Sequence, residues 1–489
     1  MKIQHRAKGF WSQRRALSET LFLSGKKISM KINTGICCLL LALVACTSQK
    51  KLANPANPIV ANVKSENAIE KAAQQFLLND SNLAAAHLGI SIYDPAEKKY
   101  LYNYQGDKYF IPASNTKLLT CYAAMKYLGD SLVGLRVQKF SDSSFFIQAT
   151  ADPTFLHPDF KTQPVLDFLQ KNSSRQFRFF NGKWNEKPLG FGWAWDDYSD
   201  DYMVERSSFP IFGNVIRIQT IGNDIVINPP ADRLFPLGFG ESDIIPPAFN
   251  FKKGKFTFHR YLNSNELIIK EARSEFKYQE IPFITNGNAT AVDYLKMVLP
   301  KLNLLTGGNL NLSSTYNIHS QPTDSLLKIT MHRSDNFFAE QTLLMVSNER
   351  LGMMSDVAII DTLLKTDYKA MPQKPKWVDG SGLSRYNLIS PQDFVFVLEK
   401  MKNEFAWNRI TTILPTGNSG TLGGLYKNYA GKIYAKTGTV SNNLALSGYI
   451  ITNQNKQLIF SVIVNNHQAS ASAIRRSIEK FITDVIDKN

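Results

Sequence analysis

The 489 residues predict an α/β chain of the α+β kind: one antiparallel sheet with flanking helices, plus an inserted β-rich region. Three observations lead there. A helical pattern and a hairpin stand near the start of the chain, three strands and a helix stand at its end, and the residues between about 152 and 321 differ in texture from both.

The first pattern opens with Ile69, Ala72, Phe76 and Leu77 at helical spacing. Gly89 to Tyr93, the turn pair Asp94-Pro95, and Tyr100 to Tyr104 then read as two paired strands. At the far end, Lys432 to Val440, Leu444 to Thr452 and Gln457 to Asn465 read as strands, with a turn at Asn453-Gln454-Asn455. The terminal helix has its apolar face set by Ile474, Ile478, Phe481, Ile482 and Val485. Joined edge to edge, the two ends make a single sheet. Between them, aromatics, Gly-Pro punctuation and short alternating runs such as Asn223 to Asn228 mark the β-rich insertion. The expected organisation is therefore 65–151 and 322–489 as two parts of one domain, with 152–321 inserted between them.

Upstream of residue 65, Ile36 to Ala45 is an apolar run too short to span a bilayer, and Lys31 precedes it, as in a signal peptide. Leu43-Val44-Ala45-Cys46 resembles a bacterial lipoprotein box, which makes Cys46 the expected lipidation site and the membrane a partner through a lipid anchor. Residues 1–29 read as an upstream extension, 30–45 as the lipoprotein signal peptide and 46–64 as a tether carrying Asn54-Pro55 and Asn57-Pro58. The expected location is the periplasmic side of the cell envelope.

A hydrophobic content of 44% excludes a disordered or fibrous chain. The net charge of +15 suggests nucleic acid, but eight Lys or Arg against Glu19 alone lie in residues 1–45; 48 basic and 40 acidic residues remain. That surplus suits an anionic wall polymer or membrane surface, and without zinc-finger spacing or an aromatic RNA-binding box no nucleic-acid partner is expected. Cys37 and Cys38 would leave with the signal, so no disulfide framework is expected, and Cys121 reads as a small buried hydrophobe. The seven histidines show no paired-ligand spacing. Neither a metal nor a cofactor is expected.

Three short motifs carry the chemistry. Ser-x-x-Lys at a helix start places a nucleophile and a base on one helix face, with the serine amide at the positive helix end. The pattern occurs at Ser24, Ser48, Ser114, Ser274, Ser325 and Ser477, and context selects Ser114 with Lys117. Pro112-Ala113 precede that serine, and Leu118, Leu119, Cys121, Tyr122, Ala124 and Met125 follow as a helical core pattern that Gly129-Asp130 stops. Ser334-Asp335-Asn336 leads straight into the helical run Phe337-Phe338-Ala339-Glu340. Lys436-Thr437-Gly438 lies on a predicted strand. Alternation there puts Thr437 and Thr439 on one face and Lys436 on the other, and Gly438 leaves room for a ligand backbone. Each motif alone has a bland reading as a cap or a turn; the three in this order do not.

Together they resemble the motif set of the penicillin-recognising serine enzymes. About 220 residues separate the first two motifs and about 100 the last two, which resembles the D-alanyl-D-alanine carboxypeptidase/endopeptidase family with its large insertion. Further stretches match: Asp379-Gly380-Ser381-Gly382-Leu383-Ser384-Arg385, Leu414-Pro415, Gly420-Thr421-Leu422, and Ser447-Gly448-Tyr449. Where that family has a glycine-rich stretch before Asp-Pro, this chain has Ala149-Thr150-Ala151 before Asp152-Pro153.

The resemblance implies a penicillin-binding-protein/serine β-lactamase-like transpeptidase fold and a serine carboxypeptidase or endopeptidase acting on peptidoglycan stem peptides, with β-lactams as covalent inhibitors. It implies Ser114 as nucleophile, Lys117 as base with its pKa lowered by burial and by the nearby Lys436 cation, and Ser334 bonded between the two lysines as proton relay. It further implies Asn336, Thr437, Gly438 and Thr439 as substrate contacts, with Lys436 also reading the terminal carboxylate. A β-lactamase or esterase on the same fold, or a non-catalytic wall-binding lipoprotein, are the competing readings of the residues.

Overall fold

The computed structural model describes residues 67–222, 224–229, 237–238, 255–307 and 314–489. Cys46, the signal peptide and the tether therefore lie outside the described residues.

Both ends of the chain build one five-stranded antiparallel sheet. Its order is Ile433–Val440, Asn443–Ile451, Gln457–Asn465, His87–Asp94, Lys99–Tyr104. Period-two alternation sorts the side chains to its two faces. Ile90, Leu446 and Val462 stand in one row and face a core that includes Ile69 and Leu77 of the first helical segment and Ile474, Ile478, Phe481 and Ile482 of the helix Ala471–Lys488. Tyr93, Ala445, Tyr449, Ile459 and Ile463 face a second core, made with the helices Lys117–Tyr127, Asn336–Leu351 and Pro391–Glu404. With both faces covered, the strands read as nearly continuous apolar runs.

On the helix-rich face one row is polar. Lys436, Ser447, Ser461 and Ser91 are successive partners across four strands, all buried. Ser447 and Ser461 share a 2.8 Å hydrogen bond, and Asn115 Nδ2 donates to Ser447 Oγ at 2.7 Å. This polar row ties the turn that carries Ser114 to the sheet.

A third core gathers strands from Ser131 onward. A five-stranded sheet runs in the order Asn303–Thr306, Gln176–Phe180, Ser144–Ala149, Ser131–Ser141, Tyr316–Pro322, and two three-stranded sheets accompany it. Two of its strands thus lie upstream of Asp152. Ala151, at the point where glycine is usual in the resembled family, adopts φ 66°, donates its amide to Ser208 O at 2.8 Å and is fully buried. Packing holds an alanine in the left-handed conformation that glycine takes freely.

Candidate active site

Ser114 lies in the 3₁₀ turn Ala113–Thr116, which runs directly into the helix Lys117–Tyr127. From Leu118 to Met125 that helix is buried on every side, so its axis is fixed by packing all round. Ala113 has φ 48°, a strained value for a residue with a Cβ, and Thr116 Oγ1 donates to its carbonyl at 2.9 Å.

Lys117 is fully buried and its three ammonium donors meet three acceptors: Ser114 Oγ at 2.9 Å, Asn336 Oδ1 at 2.6 Å and Ser381 O at 2.8 Å. Burial pulls its pKa down to about 8, while the carboxylates of Asp379, Glu340 and Asp335 pull it back up. Of the two expected causes, burial is the one that lowers Lys117. Lys436 is itself held well below the ordinary lysine value, by burial first and by the neighbouring Lys117 second.

Ser334 ends the helix Thr323–Arg333 with φ 60°, and Asp335 caps the next helix by accepting from Phe338 N at 2.8 Å. The serine is thus held at a helix-to-helix corner. Lys436 Nζ donates to Ser334 Oγ at 2.8 Å and to Thr437 O at 2.6 Å. The bond expected from Lys117 to Ser334 goes to Asn336 instead. Asn336 in turn donates from Nδ2 to the carbonyl of Tyr202 at 3.1 Å.

The room that Gly438 makes is used by the chain itself. A Cβ there would lie 2.6 Å from Pro112 O and 3.1 Å from Ser114 N, so glycine lets the strand close on the serine turn. Thr437 and Thr439 line a cleft of about 970 Å³ together with Ser114, Ser334, Asn336 and Tyr202.

The loop after Asp379 closes the floor. Buried Asp379 accepts from Gly382 N at 2.8 Å, Ser384 N at 2.6 Å, Asn387 Nδ2 at 2.8 Å and Trp193 Nε1 at 3.0 Å. Those bonds orient the Ser381 carbonyl that Lys117 uses. Glu340 accepts from Ser381 N at 2.7 Å and also faces Arg206 Nη1 at 3.5 Å. Arg206 is 2% exposed and donates to Asp356 at 2.5 Å and to Glu186 at 3.1 Å. One guanidinium therefore serves three buried carboxylates, and burial raises both Glu186 and Glu340 to about 7.

The structure brings Ser114, Ser334, Asn336, Thr437 and Thr439 into one cleft, with Lys117 and Lys436 buried behind Ser114 and Ser334 and Gly438 packed on the serine turn. Tyr202 and Arg475 line the same cleft, and the buried Arg206 stands behind it through Glu340; none has a sequence signal, because each is a single residue far from any motif and reaches the site only through the fold.

This arrangement and the sheet behind it are those of a low-molecular-mass penicillin-binding serine peptidase. The family model for D-Ala-D-Ala carboxypeptidase 3 (S13) matches residues 70–225 and 313–485, and the chain belongs to that family. It is 22% identical over 413 residues to the D-alanyl-D-alanine carboxypeptidase DacB of Haemophilus influenzae, covering 76% of this chain and 84% of that protein. A D-alanyl-D-alanine carboxypeptidase of Actinomadura is 23% identical over 441 residues, 81% of this chain and 80% of its own length. Among solved structures, penicillin binding protein 4 of Haemophilus influenzae superposes with a TM-score of 0.65 at 19% identity, covering 86% of this chain and 99% of that one.

Proposed function

We propose that Ser114 is the nucleophile with which this D-Ala-D-Ala carboxypeptidase-family enzyme opens the terminal peptide bond of peptidoglycan stem peptides, as carboxypeptidase, cross-link endopeptidase or both. The observation that carries the reading is the buried Lys117 amine, 2.9 Å from Ser114 Oγ and lowered to about 8. A neutral Lys117 takes the Ser114 proton, and Oγ attacks the carbonyl between the two D-alanines. The backbone amides of Ser114 and Thr439 hold the oxyanion, each worth on the order of 3 kcal/mol. Ser334, held by Lys436, passes a proton to the leaving amine. Thr437 and Thr439 receive the terminal carboxylate, Asn336 binds a substrate amide in exchange for the Tyr202 carbonyl, and water releases the acyl-enzyme. The related Haemophilus protein has been solved in complex with a β-lactam, which supports β-lactams as ligands of this chain.

The base sets a pH limb. Lys117 acts only when neutral, so acylation by a β-lactam should rise with pH and level off above about 8. Below that value the rate falls about tenfold per pH unit. Stopped-flow acylation between pH 6 and 10 measures this, and a limb near the ordinary lysine value of 10.5 would exclude Lys117 as the base.

We also place the enzyme at the periplasmic face of a membrane, anchored through Cys46. The support is the apolar run ending in Leu43-Val44-Ala45-Cys46. Cys46→Ser should move the protein from the membrane to the soluble fraction, and unchanged membrane retention would refute the anchor.

A further inference from the structure

Three strands of the third core run parallel, Ser144–Ala149 beside Gln176–Phe180 and Gln176–Phe180 beside Asn303–Thr306. The helix Pro164–Lys171 connects the first to the second, and the helix Ala289–Val298 leads into the third. The carboxyl ends of parallel strands are the edge at which open α/β sheets take their ligands. At that edge lies a cavity of about 630 Å³, the size of a small-molecule site. It is separate from the catalytic cleft. Among the described residues the two share no lining side chain, and they stand at opposite ends of the helix Asn336–Leu351, with Asn336 in the cleft and the capping Gly352 in the cavity. A helix of 16 residues puts roughly 24 Å between them.

One side chain of this cavity points to a ligand. Gln148 is 5% exposed and lines the cavity, yet among the described residues its side-chain amide meets no hydrogen-bond partner. A buried amide left unpaired destabilises a fold, so its presence points to a partner from outside the chain. Gly182, with φ 71°, stands over it: a Cβ there would lie 3.0 Å from Gln148 Nε2, and glycine leaves that nitrogen uncovered. The rest of the lining sets the ligand's chemistry. Asn181, Asn286 and Thr306 are exposed in the same cavity. Amides and hydroxyls both donate and accept, which matches a hydroxyl-rich molecule better than a bare anion. The charges agree, because Lys183 and Asp293 line the cavity as one cation and one anion, with no surplus to hold a phosphate or carboxylate. Phe179 and Phe180 add an apolar wall that the C–H face of a sugar ring can cover.

We infer that this cavity is a second, non-catalytic site that binds a saccharide, and that its occupant on the wall is the N-acetylated glycan strand from which the stem peptides branch. An N-acetyl group supplies the amide that pairs with Gln148. The saccharide chemistry stands on the lining; the choice of the wall glycan rests on the peptidoglycan reading above.

The test titrates the whole protein calorimetrically with the trisaccharide of N-acetylglucosamine, with glucose 1-phosphate and inorganic phosphate as contrasts. Gln148→Leu removes the buried amide at similar volume, and Thr306→Trp, at an exposed strand end, fills the cavity without touching the core. Wild type should bind the trisaccharide saturably, and both variants should bind it at least about tenfold more weakly. D-Alanine release from intact sacculi should fall several-fold in the variants, while release from a sugar-free D-Ala-D-Ala peptide stays within about twofold of wild type. No trisaccharide binding by wild type, equal binding by wild type and Thr306→Trp, or tighter binding of either phosphate overturns the inference. Trisaccharide binding lost in the variants with digestion of sacculi unchanged overturns the wall glycan as occupant. If the trisaccharide binds as expected but wild type releases no D-alanine from the sugar-free peptide, the saccharide site stands and the Ser114 reading fails instead.

Discussion

Ser114→Ala should abolish covalent labelling by a fluorescent penicillin and lower turnover of a D-Ala-D-Ala peptide on the order of 10⁴-fold or more, because the other groups of a covalent site lose their purpose when the nucleophile is gone. Stability should be nearly unchanged. The hydrogen bond that Ser114 Oγ accepts from Lys117 is lost, but that amine keeps Asn336 Oδ1 and the Ser381 carbonyl. Mass spectrometry of the penicillin-treated protein, alongside a thermal melt, separates the two effects. Labelling of the variant at the wild-type rate would place the nucleophile elsewhere.

The second large effect is on folding. Arg206→Met would leave Glu186, Glu340 and Asp356 buried together without their shared guanidinium. Removing one partner of a buried ion cluster costs about 3–5 kcal/mol. The loss should grow with pH. Glu186 and Glu340 already have folded pKa values raised to about 7, so the stability they allow is full below their unfolded values and is lost as pH rises through about 7. Without the arginine that decline should steepen. Denaturant unfolding at pH 6 and pH 8 measures it, and a loss that is small or independent of pH would contradict the cluster's role. Because Glu340 also holds Ser381 N, whose residue's carbonyl holds Lys117, the variant should lose activity even where it remains folded.

How much of this was legible beforehand follows from the range of each interaction. The outer strands and the terminal helix were readable because alternation and helical period are local, and Ile474, Ile478, Phe481 and Ile482 do face the core as their spacing implied. The three motifs were readable because their residues are adjacent in sequence. What their side chains touch was not. Lys117 is completed by a backbone carbonyl at Ser381, which no residue type announces, and Arg206 meets carboxylates from 20 to 150 positions away. The texture change at Asp152 was visible, but the strands Ser131–Ser141 and Ser144–Ala149 alternate like any others, so pairing with later strands could not be foreseen from them. Arg475 is a single residue of the terminal helix that lies in no motif, and only the fold brings it to the cleft.

The row Lys436, Ser447, Ser461 and Ser91 spans the two ends of the chain, and this has a consequence for how the protein comes into being. The serine and its base emerge early in synthesis, but the strands that close against them are among the last to emerge. Such distant pairings form late, after a large loop has been closed. A nascent chain would therefore carry an inert serine, and reactivity would begin only once the strands from Ile433 onward had paired.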